Sequence, residues 1–268
     1  MLKDIIGVSA PSTGERGKKF EINEELFRSY AANGIDAVEI AMPFGVDLFN
    51  LYFDKLEYYA DKHGVMMWSY HLPFSNFFDP SGYETSDSMK VFKMLIKRAS
   101  AAKSLKCAVI HPSAEVADDS DRAYRINTAK KNLSELCDYA GELGIVLAVE
   151  CLPRKCLANT AEETAEIISA NDSLQVCFDV NHVPPEQTHH FAELLRGRIA
   201  TVHISDCVVP DDHLLPTEGS INWSELMRDL DMSGCNSPFV FEASRFSKVS
   251  GAHDMGIYRR LYNKIKAL

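Results

Sequence analysis

The sequence predicts an α/β protein, a parallel eight-stranded (β/α)8 barrel of the TIM type with its helices outside, formed by residues 1–268 as one domain. Three observations carry this. Short apolar runs alternate with longer amphipathic segments eight times over, the pattern of parallel strands joined by crossover helices. No composition break or linker divides the chain. No glycine-rich loop of the dinucleotide- or phosphate-binding type follows any run, which disfavours an open doubly wound sheet.

The first strand is Ile5–Ser9. A helix opening at Glu24 stops at Asn33-Gly34, where glycine suits the left-handed residue after a helix. Ala37–Ile40 is the second strand, a helix around Leu48 to His63 closes at Gly64, and Val65–His71 is the third strand. The loop from Pro73 to Thr85 carries Phe74, Phe77 and Phe78 and is long enough to cover a site or to meet another subunit of a homo-oligomer. A helix from Ser86 to Ser104 precedes strand Cys107–His111, and one from Asp121 to Leu143, ended by Gly144, precedes Ile145–Glu150. Thr160-Ala161-Glu162-Glu163 has capping-box spacing and opens the helix before Leu174–Asp179. A short helix near Phe191–Leu195, strand Ile199–His203, helix Trp223–Met232, strand Pro238–Glu242 and a helix from Asp254 to Lys266 complete the barrel.

The formal net charge of -10 counts against a nucleic-acid partner, which demands a basic footprint. Seven cysteines, odd in number and scattered, read as reduced thiols; Cys151 and Cys156 lack the spacing of a zinc pair. No apolar run is long enough to span a bilayer and Met1–Ile5 lacks signal-peptide zones, so a soluble cytoplasmic protein is expected.

The informative regularity is that strand after strand ends in a potential ligand: Glu39, His71, His111, Glu150, Asp179, His203 and Glu242. A barrel brings all of these to its C-terminal face. Several ionisable groups at strand ends are costly to bury unless they pair or share a cation. Strands five to eight are neighbours about 4.8 Å apart, so Glu150, Asp179, His203 and Glu242 can meet at one ion. Three carboxylates and an imidazole suit one divalent cation, Mn²⁺ first, with Mg²⁺, Co²⁺ or Zn²⁺ as alternatives.

The set Val149-Glu150, Phe178-Asp179-x-x-His182, Val202-His203-Ile204-Ser205-Asp206, the loop from Asp211 to Trp223 and Phe241-Glu242 resembles the xylose isomerase-like TIM-barrel superfamily. That superfamily holds sugar and sugar-phosphate isomerases and epimerases, inosose and dehydroshikimate dehydratases, and the endonuclease IV group. The resemblance implies that Glu150, Asp179, His203 and Glu242 bind metal and that His182 contacts substrate. Against the endonuclease IV group it matches a three-zinc set of His71, His111, Glu150, Asp179, His182, His203, Asp211, His213 and Glu242. Pro216-Thr217-Glu218-Gly219 departs from the glycine-richer loop of many isomerase-like members.

The expected function is therefore a metal-dependent isomerase or epimerase of a small carbohydrate, phosphorylated or not. It removes a proton beside a carbonyl through a cation-stabilised enediolate, with Glu150 and Glu242 as acid and base. His182, His71, His111 and Glu39 would hold substrate hydroxyls, while Arg154, Arg245 and Lys248, just past strands five and eight, would hold a phosphate or carboxylate. The alternatives are an inosose-type dehydratase and a three-zinc phosphodiesterase. His63, His189, His190 and His253 read as surface histidines, and Trp68 as core.

Overall fold

The computed structural model describes residues 4–14, 20–41, 51–115 and 119–268. Its strands are β1 (Ile6–Ser9), β2 (Ala37–Ile40), β3 (Met66–His71), β4 (Cys107–Ile110), β5 (Val146–Glu150), β6 (Gln175–Asp179), β7 (Ile199–Ile204) and β8 (Phe239–Phe241). They pair in parallel and in chain order, and β8 returns to β1 to close the barrel, as the sequence predicts. Outside lie α1 (Glu24–Ala32), α2 (Phe53–His63), α3 (Ser86–Ala99), α4 (Arg122–Glu142), α5 (Ala161–Ile168), α6 (Thr188–Leu194), α7 (Trp223–Met232) and α8 (Ile257–Lys266). A two-stranded hairpin, β9 (Phe246–Ser247) with β10 (Gly251–Ala252), follows β8. None of the described helices is long and apolar enough to cross a membrane.

The helix ends follow from local chemistry. Asn23 caps α1 by accepting from the Leu26 amide, Thr160 caps α5 by accepting from the Glu163 amide, and Asn222 caps α7 by accepting from the Glu225 amide. Gly64 ends α2 with φ 68°, a left-handed turn that costs glycine little. The expected start of that helix at Leu48 lies outside the described residues. α3 stops at Ala99, short of Ser104, where the Ser100 hydroxyl turns back onto the Lys97 carbonyl at 2.8 Å and competes with the helical ladder.

Alternate residues of each strand face the barrel axis. One layer below the mouth, Ala37 and Val240 pack with Trp68, and Val109, Ala148 and Cys177 pack together. The β2–β3 register slips so that Val38 opposes Met67 and Glu39 opposes Ser69, leaving Trp68 as the extra residue. Its indole reaches across the interior, where Nε1 donates to Thr201 Oγ1 of β7 at 3.0 Å. A second slip, in β6–β7, sets Cys177 opposite Thr201 and Asp179 opposite His203. The floor is thus apolar and solid, and the ionisable residues sit in the layer above it.

Trp68→Ala removes the largest side chain of this layer and leaves a void between β3 and β7. We predict a stability loss of about 3–5 kcal/mol in denaturant unfolding. A loss below about 1 kcal/mol would show that the interior does not depend on this indole.

Candidate active site

The barrel brings the ends of β2 to β8 together, and each delivers an ionisable side chain. Glu39, His71, Glu150, Asp179, His182 and His203 are all buried, while Glu242 retains 22 % of its side-chain exposure. Above them opens a cavity of about 360 Å³, whose wall includes His71, Phe74, His111, Glu150, Arg154, His182, Asp211, His213 and Glu242.

The histidines are oriented from behind. His71 Nδ1 donates to the Leu72 carbonyl at 2.8 Å, and His182 Nδ1 to the Cys151 carbonyl at 3.0 Å. His213 Nδ1 donates to the Glu242 carbonyl at 3.0 Å, and His203 Nε2 to Glu39 Oε2 at 3.0 Å. A carbonyl can only accept, so the opposite nitrogen of a neutral ring offers its lone pair forward, the usual arrangement behind a metal-binding imidazole. Glu39 also accepts from Ser69 Oγ at 2.8 Å. The structure therefore sets Glu39 beneath His203, outside the cavity wall.

The forward nitrogens converge on carboxylates in three groups. Glu150 is shared by two of them. Its Oε2 faces His71 Nε2 at 2.9 Å and His111 Nε2 at 3.2 Å. Its Oε1 lies 3.6 Å from His203 Nδ1, which is 2.9 Å from Glu242 Oε2 and 3.8 Å from Asp179 Oδ2. The third group is His182, Asp211 and His213, with Asp211 Oδ1 at 3.7 and 3.3 Å from the two Nε2 atoms. In the central group Asp179 Oδ2 is buried without a hydrogen-bond partner, and His203 Nδ1 and Glu242 Oε2, also buried, meet in an ion pair at 2.9 Å but make no well-directed hydrogen bond. Such atoms are expensive to bury unless something positive lies between them.

The electrostatics have the same source. Burial works against a charge on His203, but Cys177, Glu39 and Glu242 around it outweigh that and raise its pKa well above the ordinary value. Burial likewise opposes the charge of His71, yet Glu150, Glu39 and Glu242 lift it to about 9. Asp179 is pushed up to about 6 by burial and by Glu242, against the pull of His182. Burial would raise Glu150 too, but His111, His182 and His203 hold it well below the carboxylate range. Protons thus occupy a basin of negative charge that a divalent cation also fits.

Arg154 reaches the cavity, where its guanidinium pairs with Asp211 and lies 3.2 Å from Glu115. Arg245 is not brought there: its Nε donates to the Thr13 carbonyl at 3.0 Å and its Nη1 to the His253 carbonyl at 3.1 Å, tying β8's exit to the segment after β1. Lys248 lies near the Asp212 carbonyl, at 3.5 Å. Phe74 stacks on His111 with ring centroids 4.1 Å apart and planes 16° apart, so the loop after β3 forms one wall.

Two positioning residues escape a search for ligands. Asn181 takes its amide to Asp179 Oδ1 at 2.8 Å, and its own Oδ1 accepts from the His213 amide at 3.0 Å. Asp206 is fully buried and accepts from four donors: the Cys207 and Ile221 amides on Oδ1, and the Thr217 amide and Trp223 Nε1 on Oδ2. This carboxylate ties together the two ends of the loop that carries Asp211 and His213. Gly219 packs over it, since a Cβ there would meet Asp206 Oδ1 at 2.4 Å and the Cys207 carbonyl oxygen at 2.6 Å. Three of the four donors to Asp206 are backbone amides, which no side-chain pattern reveals.

Residues 27–263 match the model of the xylose isomerase-like TIM barrel family. A D-psicose 3-epimerase of Enterocloster bolteae is 29% identical over 126 residues, 42% of this chain and 40% of that protein. A fructoselysine 3-epimerase of Escherichia coli O157:H7 is 31% identical over 114 residues, 37% of this chain and 39% of that protein. The chain thus spans about two fifths of the length of these curated relatives. The crystal structure of a D-tagatose 3-epimerase-like protein superposes with a TM-score of 0.81 at 22% identity, covering 98% of this chain and 97% of the other.

Asp206→Asn turns an amide NH₂ toward two backbone or indole donors whichever way it is flipped. We predict a stability loss of about 1–3 kcal/mol and faster amide exchange at Thr217 and Ile221. Unchanged exchange at both amides would contradict the assigned role of Asp206.

Proposed function

Because the chain belongs to the xylose isomerase-like TIM-barrel family, we propose that it is a divalent-cation-dependent epimerase or isomerase of a small sugar. The carrying observation is the central group, in which Asp179 Oδ2 is buried without a partner, His203 Nδ1 and Glu242 Oε2 are buried and meet only in a 2.9 Å ion pair, and Glu150 lies beside them. The donor set fits a hard or borderline cation: three carboxylates and one imidazole whose tautomer Glu39 fixes. The relatives named as 3-epimerases of sugars support the substrate class.

A cation held by Glu150, Asp179, His203 and Glu242 supplies Lewis acidity toward a substrate carbonyl. The chain's own residues do the rest. Glu150 and Glu242 stand on β5 and at the exit of β8, either side of Asp179 and His203. One takes the proton from the carbon next to the carbonyl and the other returns a proton to the opposite face. His71 and His111 hold Glu150 Oε2 in place at 2.9 and 3.2 Å, which keeps that carboxylate ionised and aimed. His182, with its Nδ1 fixed on the Cys151 carbonyl, presents Nε2 toward a substrate oxygen. Phe74 lines the wall against a sugar's apolar face. A dehydratase acting on an inosose-like ketone shares the proton-abstraction step.

A second reading is favoured by one observation: the nine residues that match the endonuclease IV pattern divide into three compact groups, each able to take a cation. In that reading the protein is a three-zinc phosphodiesterase. The net charge of -10 and the pairing of Arg154 with two carboxylates give a DNA backbone little to hold.

Three outcomes are expected. Glu150→Gln and Glu242→Gln bind a cation but lose exchange of a sugar's α-proton with D₂O, each by about 10²–10⁴-fold, the share general acid–base catalysis supplies; full exchange in both variants would remove these residues from the chemistry. Metal analysis of the purified protein gives one cation per chain and no incision of an abasic duplex, whereas three zinc ions with incision would select the second reading. Because the cation-free His203 has a raised pKa, it holds a proton at neutral pH that ligation must displace, so cation affinity falls as pH is lowered. Calorimetric titration in two buffers of different ionisation enthalpy should detect the released proton, and a pH-independent affinity without release would contradict this.

A further inference from the structure

Cys177 takes no part in the chemistry above, yet it stands directly under it. It lies opposite Glu150 in the β5–β6 register and two residues before Asp179, so all three face the barrel axis. The thiol is fully buried and free. Its neighbours in the layer, Val109 and Ala148, are apolar and small, a composition that by itself would accept alanine or valine as readily as cysteine. Above it the arrangement changes: Glu150, Cys177 and His203 each offer a ligand atom, and these atoms lie within 4.8 Å of one another. Glu150 and His203 also belong to the central group, whereas Asp179 and Glu242 are not grouped with the thiol, so a cation on the sulfur would keep Glu150 and His203 as its other ligands. His203 Nδ1, fully buried, faces Glu242 Oε2 at 2.9 Å and Glu150 Oε1 at 3.6 Å without a well-directed hydrogen bond, and marks where a cation would sit.

We propose that Cys177, together with Glu150 and His203, ligates a borderline-soft cation, Co²⁺ or Zn²⁺, just beneath the central group, while Mg²⁺ and Mn²⁺ stay with the oxygen and nitrogen donors above it. Thiolate prefers the softer cations, whereas carboxylates serve both classes. As the sulfur–cation bond forms the S–H proton is released, by way of the neighbouring Glu150 that lines the cavity, to solvent, and no oxidation state changes. The chain would thereby discriminate among cations with one atom beneath the mouth. This inference rests on the reading of Glu150, Asp179, His203 and Glu242 as a cation site.

The test uses the full chain loaded with Co²⁺, with bound cobalt measured by elemental analysis. The wild-type protein should show a sulfur-to-cobalt charge-transfer band in the near ultraviolet, and X-ray absorption should find a sulfur neighbour at about 2.3 Å, the distance typical of zinc–thiolate bonds. Cys177→Ser should still take up cobalt but lose both signals, and its Zn²⁺ affinity should drop at least about tenfold, the lower end for loss of a contact supporting a metal, with Mg²⁺ affinity unchanged. Cys107→Ser, at another buried thiol, should keep both signals. Bound cobalt with only nitrogen and oxygen neighbours in the wild-type protein overturns the role of Cys177 while leaving the cation site standing, and so does a band that survives Cys177→Ser. A wild-type protein that takes up no cobalt overturns both. If Cys177→Ser does not fold, the wild-type absorption spectrum decides alone.

Discussion

The site depends on one interaction repeated: one nitrogen of each histidine ring is tied to an acceptor that sets the ring's orientation, and the other nitrogen faces a carboxylate; in His182 the tied Nδ1 also lies 3.3 Å from Glu150 Oε1. The Glu39–His203 bond is the deepest case. Both partners are fully buried, they belong to strands β2 and β7, three apart around the barrel, and Ser69 steadies the carboxylate. Without that bond His203 would be free to offer either nitrogen, and the central group would lose its defined lone pair. The same device recurs with the Leu72, Cys151 and Glu242 carbonyls behind His71, His182 and His213. Four rings are thereby fixed by groups that are part of the backbone or of the barrel interior.

The forward-facing atoms then create a deficit of positive charge. Glu150 is the shared member, with one oxygen turned to His71 and His111 and the other to the central group. Raised pKa values at His71, His203 and His213 and the upward shift of Asp179 are consequences of that crowding. The loop after β7 shows what holding such a group requires. Asp211, His213 and Thr217 have φ of 77°, 49° and 76°, a left-handed conformation that costs non-glycine residues about 1–3 kcal/mol each. Asp206 and Asn181 offset this by binding the surrounding amides, so the strain lies where two candidate ligands are displayed.

The fold was legible because periodicity is a backbone-level signal: each apolar run ends at a capped helix or a turn, and eight of them can close on themselves. The ring of ligands was legible for the same reason, since the last inward residue of a buried strand must emerge at the mouth. What strand position alone leaves open is depth and partner. Glu39 has the position of a cavity residue but lies behind His203, because the β2–β3 slip sets it opposite Ser69. Arg245 follows β8 as a phosphate-binding cation would, yet two backbone carbonyls claim it. Arg154 does reach the cavity, and its pairing with Glu115 and Asp211 arises between loops distant in sequence. Helix ends that shifted, such as that of α3, did so where a serine hydroxyl competes with the ladder.

The central claim is that the buried, clustered donor atoms of Asp179, His203 and Glu242, with Glu150, surround a cation. The most direct test is anomalous diffraction from crystals grown with Mn²⁺, recorded on both sides of the manganese absorption edge. The account predicts one strong anomalous peak within coordination distance of Asp179 Oδ2, His203 Nδ1 and Glu242 Oε2. No peak at that position, with the three atoms instead satisfied by water or by one another, would contradict it.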